Sequence, residues 1–203
     1  MEKSTSSKDI VKILEEDLEL SFAKLENVIK KPIKNQDIYK KQLVLRKNFI
    51  DWTHTKFKML RAGSPVNVFK RDIFYCSMGY NIGSEQQDKR PVVIVQNDRG
   101  NKSSETTIVV PITTHQNCKI YEEDGKRYYK YINSSGVEKI KKLDYYEVPI
   151  DLDPSSKNEI LGFINCAQIK TISKKRLSNL PVAKISYENF SDIKKSINRL
   201  LFT

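Results

Sequence analysis

The sequence predicts a mainly β body flanked by helices, an α+β chain with an N-terminal helical hairpin ahead of the β body. Three observations carry this. Apolar residues recur at three- and four-residue steps through residues 8–31 and again through 36–61, the period of amphipathic helices. Two runs rich in β-branched residues, 91–95 and 106–112, follow, each bounded by polar or turn-forming residues. Farther on, Asp124-Gly125 stands between two strand-like runs, the strongest local hairpin signal in the chain. With 203 residues, 38% hydrophobic and 30% charged, the chain has material for one ordinary domain with an appendage, or for two small ones.

The first helix, 8–31, sets Ile10, Leu14, Leu18, Phe22, Leu25 and Ile29 along one stripe, with Ser6 or Ser7 as a cap and Pro32 as a stop. The link Lys31-Pro32-Ile33-Lys34-Asn35 leads into the second, 36–61, whose apolar positions include Ile38, Leu43, Phe49, Ile50, Phe57 and Leu60. Helices joined by so short a link most often fold back as an antiparallel hairpin. Such a hairpin packs on itself or on the body, or it serves as a dimerisation arm, a partner surface or a cover over an active site. The sequence does not choose among these. Ala62-Gly63-Ser64-Pro65 reads as a linker by its small and helix-breaking residues, dividing the chain into 1–65 and 66–203.

Residues 66–78 roughly alternate apolar and polar side chains, as a first strand does. A polar loop carrying Gly79 and Gly83 follows, and the run 91–95 suits a strand buried on both faces. Gln96-Asn97-Asp98 ends that strand, Arg99-Gly100-Asn101 supplies a turn, and 106–112 carries the chain back toward Thr113 and Thr114. Adjacent strands so joined bring Arg90, at the start of the first, near Thr113, at the end of the second. A cation and a hydroxyl then share one edge of a rigid sheet.

Residues 117–150 make a long excursion with strands near 118–122, 127–132 and 145–150 and turns at Asp124-Gly125 and 133–136. Tyr121, Tyr128, Tyr129, Tyr131, Tyr145 and Tyr146 interleave there with Lys119, Lys126, Arg127, Lys130, Lys141 and Lys142. Rings can stack on unpaired bases while cations hold phosphates. Tyrosine is equally a good strand former with one face in a core. Residues 158–171 supply a last strand with a bulge or bend at Gly162, and 173–177 a short helical turn. A terminal helix starts near Ser186 or Tyr187, capped by Ser186, and buries Phe190, Ile193, Ile197 and Leu200 or Leu201.

The net charge of +11 and the isoelectric point near 9.4 favour a polyanionic partner, nucleic acid being the commonest. Cys76, Cys118 and Cys166 are odd in number and far apart, which argues against a disulfide framework and a Cys-x-x-Cys metal site and fits a reducing cytoplasm. No apolar run is long enough to span a bilayer. Phosphate-loop, zinc-protease, nucleophile-elbow and dinucleotide motifs are absent, and the only imidazoles are His54 and His115.

Gly83-Ser84-Glu85-Gln86, Lys89-Arg90-Pro91-Val92-Val93, Val95-Gln96-Asn97-Asp98, Gly100-Asn101 and Val110-Pro111-Ile112-Thr113 occur in this order. In that order and spacing the chain resembles the MazF/PemK family of toxin endoribonucleases, the toxic halves of bacterial toxin-antitoxin pairs. The resemblance runs from about residue 68 to 203, with a weaker echo in Gln168-Ile169-Lys170-Thr171-Ile172 and Lys175-Arg176-Leu177. It implies a small SH3-like β-barrel that forms a homodimer. The implied activity is metal-independent and cofactor-free cleavage of single-stranded RNA, mRNA above all, at a short sequence. The resemblance implies Arg90 and Thr113 as the catalytic pair and Ser84, Glu85 and Gln86 at the RNA groove, with Lys89, Thr114 and His115 beside them. The implied partners are RNA and a separately encoded antitoxin presenting an acidic, apolar-studded segment, in the cytoplasm and away from membranes. Two departures stand out: Arg71 takes the place of a usual glycine before the aspartate, and Gln87-Asp88 replace a common glycine pair, implying a stiffer loop. Two competitors remain: a CcdB-like poison that binds gyrase and needs no Arg90-Thr113 pair, and a non-catalytic RNA-binding or regulatory module.

Overall fold

The computed structural model describes residues 7–61, 63, 65–114, 118–133 and 135–203. The chain divides into two compact units, Met1–His54 and Thr55–Thr203. Helix α1 (Ser7–Lys30) lies in the first unit and helix α2 (Gln36–Arg61) begins there, both close to the expected bounds. The Asn35 carboxamide accepts from the Asp37 and Ile38 amides and so opens α2. At the other end of the link, the Arg46 guanidinium donates to the carbonyls of Ile29 and Lys31, satisfying acceptors that the end of α1 leaves open. The expected link is therefore present, but the apolar stripes do not close over one another. Leu14, Leu18 and Phe22 are 61%, 56% and 63% exposed, and α2 buries no residue. Each helix thus presents an apolar face that neither covers.

The second unit contains β1 (Asp72–Gly79), β2 (Asp88–Ile94), α3 (Asp98–Ser103), β3 (Thr106–Thr114), β4 (Lys119–Glu123), β5 (Lys126–Ile132) and β6 (Glu138–Lys142). It continues with β7 (Glu147–Pro149), β8 (Gly162–Asn165), β9 (Lys170–Ser173), β10 (Ala183–Lys184) and α4 (Tyr187–Phe202). A curled antiparallel sheet runs in the order β10-β1-β2-β3-β8-β7, with β9 also on β3. One face packs Ile73, Val93, Val110, Ile112 and Ile164 against Phe190 and Ile193 of α4. The opposite face packs Phe74, Cys76, Val92, Ile94, Val109 and Ile172 with Val68 and Leu177. Burial on both faces is why the central strands read as unbroken apolar runs.

Several expectations are corrected. The first strand starts at Asp72 rather than at residue 66, and Val66 and Val68 pack against the second core without pairing. Arg99-Gly100-Asn101 is not a bare turn but part of α3, because the Asn97 side chain accepts from the Gly100 amide at 2.8 Å and nucleates the helix. The single strand expected over 158–171 is two, β8 and β9, separated by a 3-10 turn (Cys166–Gln168) that Asn165 caps. That turn lies opposite Val110 and Pro111 of β3, between the two stretches of ladder.

Strands β4, β5 and β6 form a separate three-stranded sheet. It is anchored by Tyr129, fully buried and edge-on to Phe163 at 5.0 Å, together with Cys118 and Leu143. Strand β6 had no sequence signal: Glu-Lys-Ile-Lys-Lys is exposed throughout and is held by its ladder to β5 rather than by a core. Helix α4 begins as expected, with the Ser186 hydroxyl accepting from the Asn189 amide at 3.0 Å. Phe190 and Ile193 are buried and Ile197 packs beside them, while Leu201 is 54% exposed.

Candidate active site

Strands β2 and β3 pair at Val92 opposite Pro111, Val93 opposite Val110 and Ile94 opposite Val109. Arg90 and Thr113 lie two residues beyond the Val92-Pro111 pair on their own strands, hence at the same end and on the same face of the sheet. On its other side Arg90 pairs with Cys76 of β1, and Thr113 pairs with Phe163 of β8. The site thus sits on four adjoining strands.

The Arg90 side chain is half-buried, and its Nε donates to the Gln87 carbonyl at 2.7 Å. Among the described residues its two terminal nitrogens have no hydrogen-bond partner. Burial lowers the guanidinium pKa from its ordinary value, and the charge of Asp88 opposes that shift. Thr113 is held by a close approach of backbone: a Cβ built on Gly162 would sit 2.0 Å from the Thr113 carbonyl oxygen. Gly162 has φ +150° and directly faces Thr114 in the ladder. Only a residue without a side chain fits there.

The loop from β1 to β2 carries Ser84, Glu85 and Gln86. Its neck is a bulge in which Gly79 (φ +103°) faces Asp88 (φ +66°). Within the loop, Asn81 donates to the Gln86 carbonyl at 2.6 Å. The loop is also stapled to the turn after β8: the Gln86 amide donates to Gln168 at 3.2 Å, and Lys170 lies 3.6 Å from the Glu85 carboxylate. Ser84 and Glu85 are exposed and Gln86 is half-buried.

Strand alternation puts Lys89 and Thr114 on the face opposite Arg90 and Thr113. Lys89 is exposed, with its ammonium 5.7 Å from the Tyr75 ring. His115 lies outside the described residues. The expected set therefore divides into Arg90 and Thr113 at one strand end, the loop residues above it, and Lys89 and Thr114 on the far face.

Sequence reasoning missed three residues here: Gln168, Lys170 and Arg176. Arg176 donates to the Met78 carbonyl at 3.1 Å. Burial pushes the Cys76 thiol up to about 12, against the opposing charges of Arg176 and Lys170, so both cations lie close to the strand position that Arg90 faces. The signal that could have found them was the weaker echo at 168–172 and 175–177. The motif at 96–101 turns inward instead. Asp98 accepts from the Lys70 amide at 2.6 Å, and Asn101 bonds the Gln96 carbonyl and the Thr107 hydroxyl. The buried Lys174 ammonium donates to the carbonyls of Asn101 and Ser104. These residues brace the fold.

Residues 70–201 match the model of the PemK-like, MazF-like toxins of type II toxin-antitoxin systems. The chain belongs to this family. The PemK/MazF-like chain is 42% identical over 65 residues to Endoribonuclease EndoA of Bacillus subtilis (strain 168), a stretch that covers 30% of this chain and 56% of EndoA. Among solved structures, MazF of Deinococcus radiodurans aligns with 12% identity and a TM-score of 0.46, covering 67% of this chain and 97% of that one. An endoribonuclease from a mycobacterial species, solved in complex with its cognate antitoxin, aligns with 16% identity and a TM-score of 0.44 over 66% of this chain and 94% of that one. The two departures of this PemK/MazF-like chain from the family pattern now have a geometry. Arg71 has φ +77° and Asp88 has φ +66°, a backbone region in which glycine is at ease.

Proposed function

We propose that this PemK/MazF-like toxin is an endoribonuclease that cuts single-stranded RNA, mRNA in the cell, at a short sequence. The observation that carries the reading is the Arg90 guanidinium, half-buried, fixed at Nε and open at both terminal nitrogens, on the same sheet end and face as Thr113. RNA brings its own nucleophile. The ribose 2′-oxygen loses its proton and bonds to phosphorus, the bond from phosphorus to the 5′-oxygen breaks, and that oxygen gains a proton. The products are a 2′,3′-cyclic phosphate and a 5′-hydroxyl.

Charge gathers on the non-bridging phosphate oxygens during this exchange, and a planar guanidinium donates two aligned hydrogen bonds to them. The bond from Nε to Gln87 holds the plane of the fork before substrate arrives, so little freedom is lost on binding. Partial burial makes the cation interact more strongly with phosphate than it would in water. We assign Arg90 charge stabilisation rather than proton transfer, since a guanidinium is a poor acid or base near neutrality. The Thr113 hydroxyl positions the phosphate. Ser84 and Glu85 offer exposed donors and acceptors to base edges, with the half-buried Gln86 beside them, and Lys89 and Thr114 lie on the other face of the sheet from the scissile phosphate.

In this reading residues 66–203 are the toxin body, acting as a homodimer in the cytosol, and residues 1–65 are an extension. A separately encoded antitoxin answers the net charge of +11 with an acidic segment. Purified protein incubated with a long RNA in EDTA tests the chemistry. Wild type should cut, and Arg90→Ala and Thr113→Ala should each lose about 10²–10³ in rate, the usual cost of removing one preorganised donor. Undiminished cutting by both variants would overturn the site.

A further inference from the structure

Strands β5 and β6 and the segment after them meet α4 in a cleft of about 380 Å³. Lys126, Arg127, Lys142, Tyr145, Lys195 and Arg199 line it. The carboxylates of the same cleft are already engaged. Glu147 is 2% exposed at its side chain and takes the Lys141 ammonium and the Asp144 amide. Asp192 takes Lys195 at 3.1 Å, and Asp144 accepts from the Tyr146 hydroxyl at 2.8 Å. Lys126, Arg127, Lys142 and Arg199 have no carboxylate partner among the described residues. The cleft therefore gathers cations from two strands and a helix in excess of the carboxylates that line it, and four of those cations have no carboxylate partner, although their mutual repulsion disfavours such a gathering.

An aromatic surface lies among them. Tyr145 is 48% exposed, with the Arg199 guanidinium 4.4 Å from its ring centroid and the Tyr146 ring edge-on at 5.3 Å. A ring with a guanidinium beside it, rimmed by unpaired cations in a concave site, is the combination that holds an unstacked base and its flanking phosphates. An acidic peptide would satisfy the cations but leave the ring without a planar partner.

We propose that this cleft is a second RNA-binding site, which holds a nucleotide of the single-stranded substrate apart from the one being cut. Tyr145 stacks the base, and Lys126, Arg127, Lys142 and Arg199 take the phosphates. The proposal rests on the endoribonuclease reading for its substrate, and the test separates the two.

Binding is measured by fluorescence anisotropy with a labelled mixed-sequence 24-nucleotide RNA, fully 2′-O-methylated so that it cannot be cut, between 50 and 200 mM salt. Lys126→Glu/Lys142→Glu should weaken binding about 10-fold or more and flatten the salt slope by about 1.4, since each phosphate contact on a single strand contributes about 0.7. Lys119→Glu/Lys139→Glu changes net charge equally on exposed residues of the same sheet outside the cleft, and should bind nearly as wild type. Tyr145→Ala should lose affinity without changing the slope. Equal binding by both double variants would overturn the cleft while leaving cleavage by the wild type, and hence the function, intact. Conversely, a wild type that binds through the cleft yet cuts nothing would sink the function and keep the cleft. Displacement by polyglutamate as effective as by RNA at matched charge would replace RNA with an acidic protein segment and overturn the proposal.

Discussion

Gly162→Ala tests whether the Thr113 backbone is held by contact with β8. The added methyl would lie 2.0 Å from the Thr113 carbonyl oxygen, 3.0 Å from its carbon and 3.2 Å from the Thr114 Cα. All three are backbone atoms, so no rotamer change relieves the overlap, and β8 must move away from β3 where Thr113 sits. The cost has two parts: about 1–3 kcal/mol for a side chain at a φ of +150°, and about 1–3 kcal/mol for overpacking. Gly125→Ala is the control: its φ is +67° but a Cβ there meets nothing within 4 Å, so only about 1–2 kcal/mol of backbone strain applies. With a urea dependence of about 2 kcal/mol per molar, the midpoint should fall by about 1–3 M for Gly162→Ala and about 0.5–1 M for Gly125→Ala. In the absence of urea, kcat on RNA should fall up to about 100-fold for Gly162→Ala, the scale of an ångström-sized misplacement, and stay unchanged for Gly125→Ala. A Gly162→Ala protein that unfolds with the Gly125→Ala midpoint and retains its kcat would refute the idea that this contact positions Thr113.

At Arg71 the backbone favours glycine, while the side chain pairs with Asp153 at 2.6 Å and lies 3.5 Å from the Tyr187 ring centroid. Arg71→Ala, which keeps the strain and loses both contacts, should therefore be less stable than Arg71→Gly by about 1–2 kcal/mol in urea melts. For Cys76, the folded thiol titrates at about 12 against 9.0 for the unfolded chain. Its contribution to stability is full below pH 9 and falls by about 1.4 kcal/mol per pH unit between those values, because only the unfolded chain gives up its proton there; comparing urea midpoints of wild type and Cys76→Ala from pH 8 to 11 isolates the slope. Arg90→Lys keeps the charge but loses the fork, and in single-turnover cleavage it should resemble Arg90→Ala more than wild type.

Strands β2 and β3 could be read from sequence because they are buried on both faces, so that the chain itself spells out continuous apolar runs. The expectation that Arg90 and Thr113 share one strand end came from those runs, since in antiparallel neighbours the start of one strand lies beside the end of the next. Strand β6 left no trace, because a strand held by its ladder and by ion pairs from Glu138 and Lys141 needs no apolar face. Helix α3 was hidden for a different reason: Arg-Gly-Asn reads as a turn, and what holds it as a helix includes Lys174, 73 residues away from the Asn101 carbonyl that it bonds. Gln168 stood in the weaker echo of the sequence, but its bond to the loop at Gln86 spans 82 positions. No local period records a contact of that kind.

Arg71 and Asp88 show how a residue with a side chain is held at a positive φ. Both stand where the family resemblance leads one to expect glycine, and both have a positive φ, the backbone region that glycine enters without cost. The surrounding structure holds these angles. The Arg71 amide donates to Ile94 at 2.9 Å and its carbonyl accepts from Ile185 at 3.0 Å, fixing the residue between the strand that leads out of the site and the segment before α4. Asp88 is held across the bulge by Gly79, with Arg90 two residues on. The strained Asp88 therefore sets where β2 begins, and with it the depth to which Arg90 is buried. A loop that met the same turn with two glycines would leave that depth free to vary. Here the strain at Asp88 and the Gln87 carbonyl on Nε act together, and the guanidinium is already oriented before any phosphate reaches it.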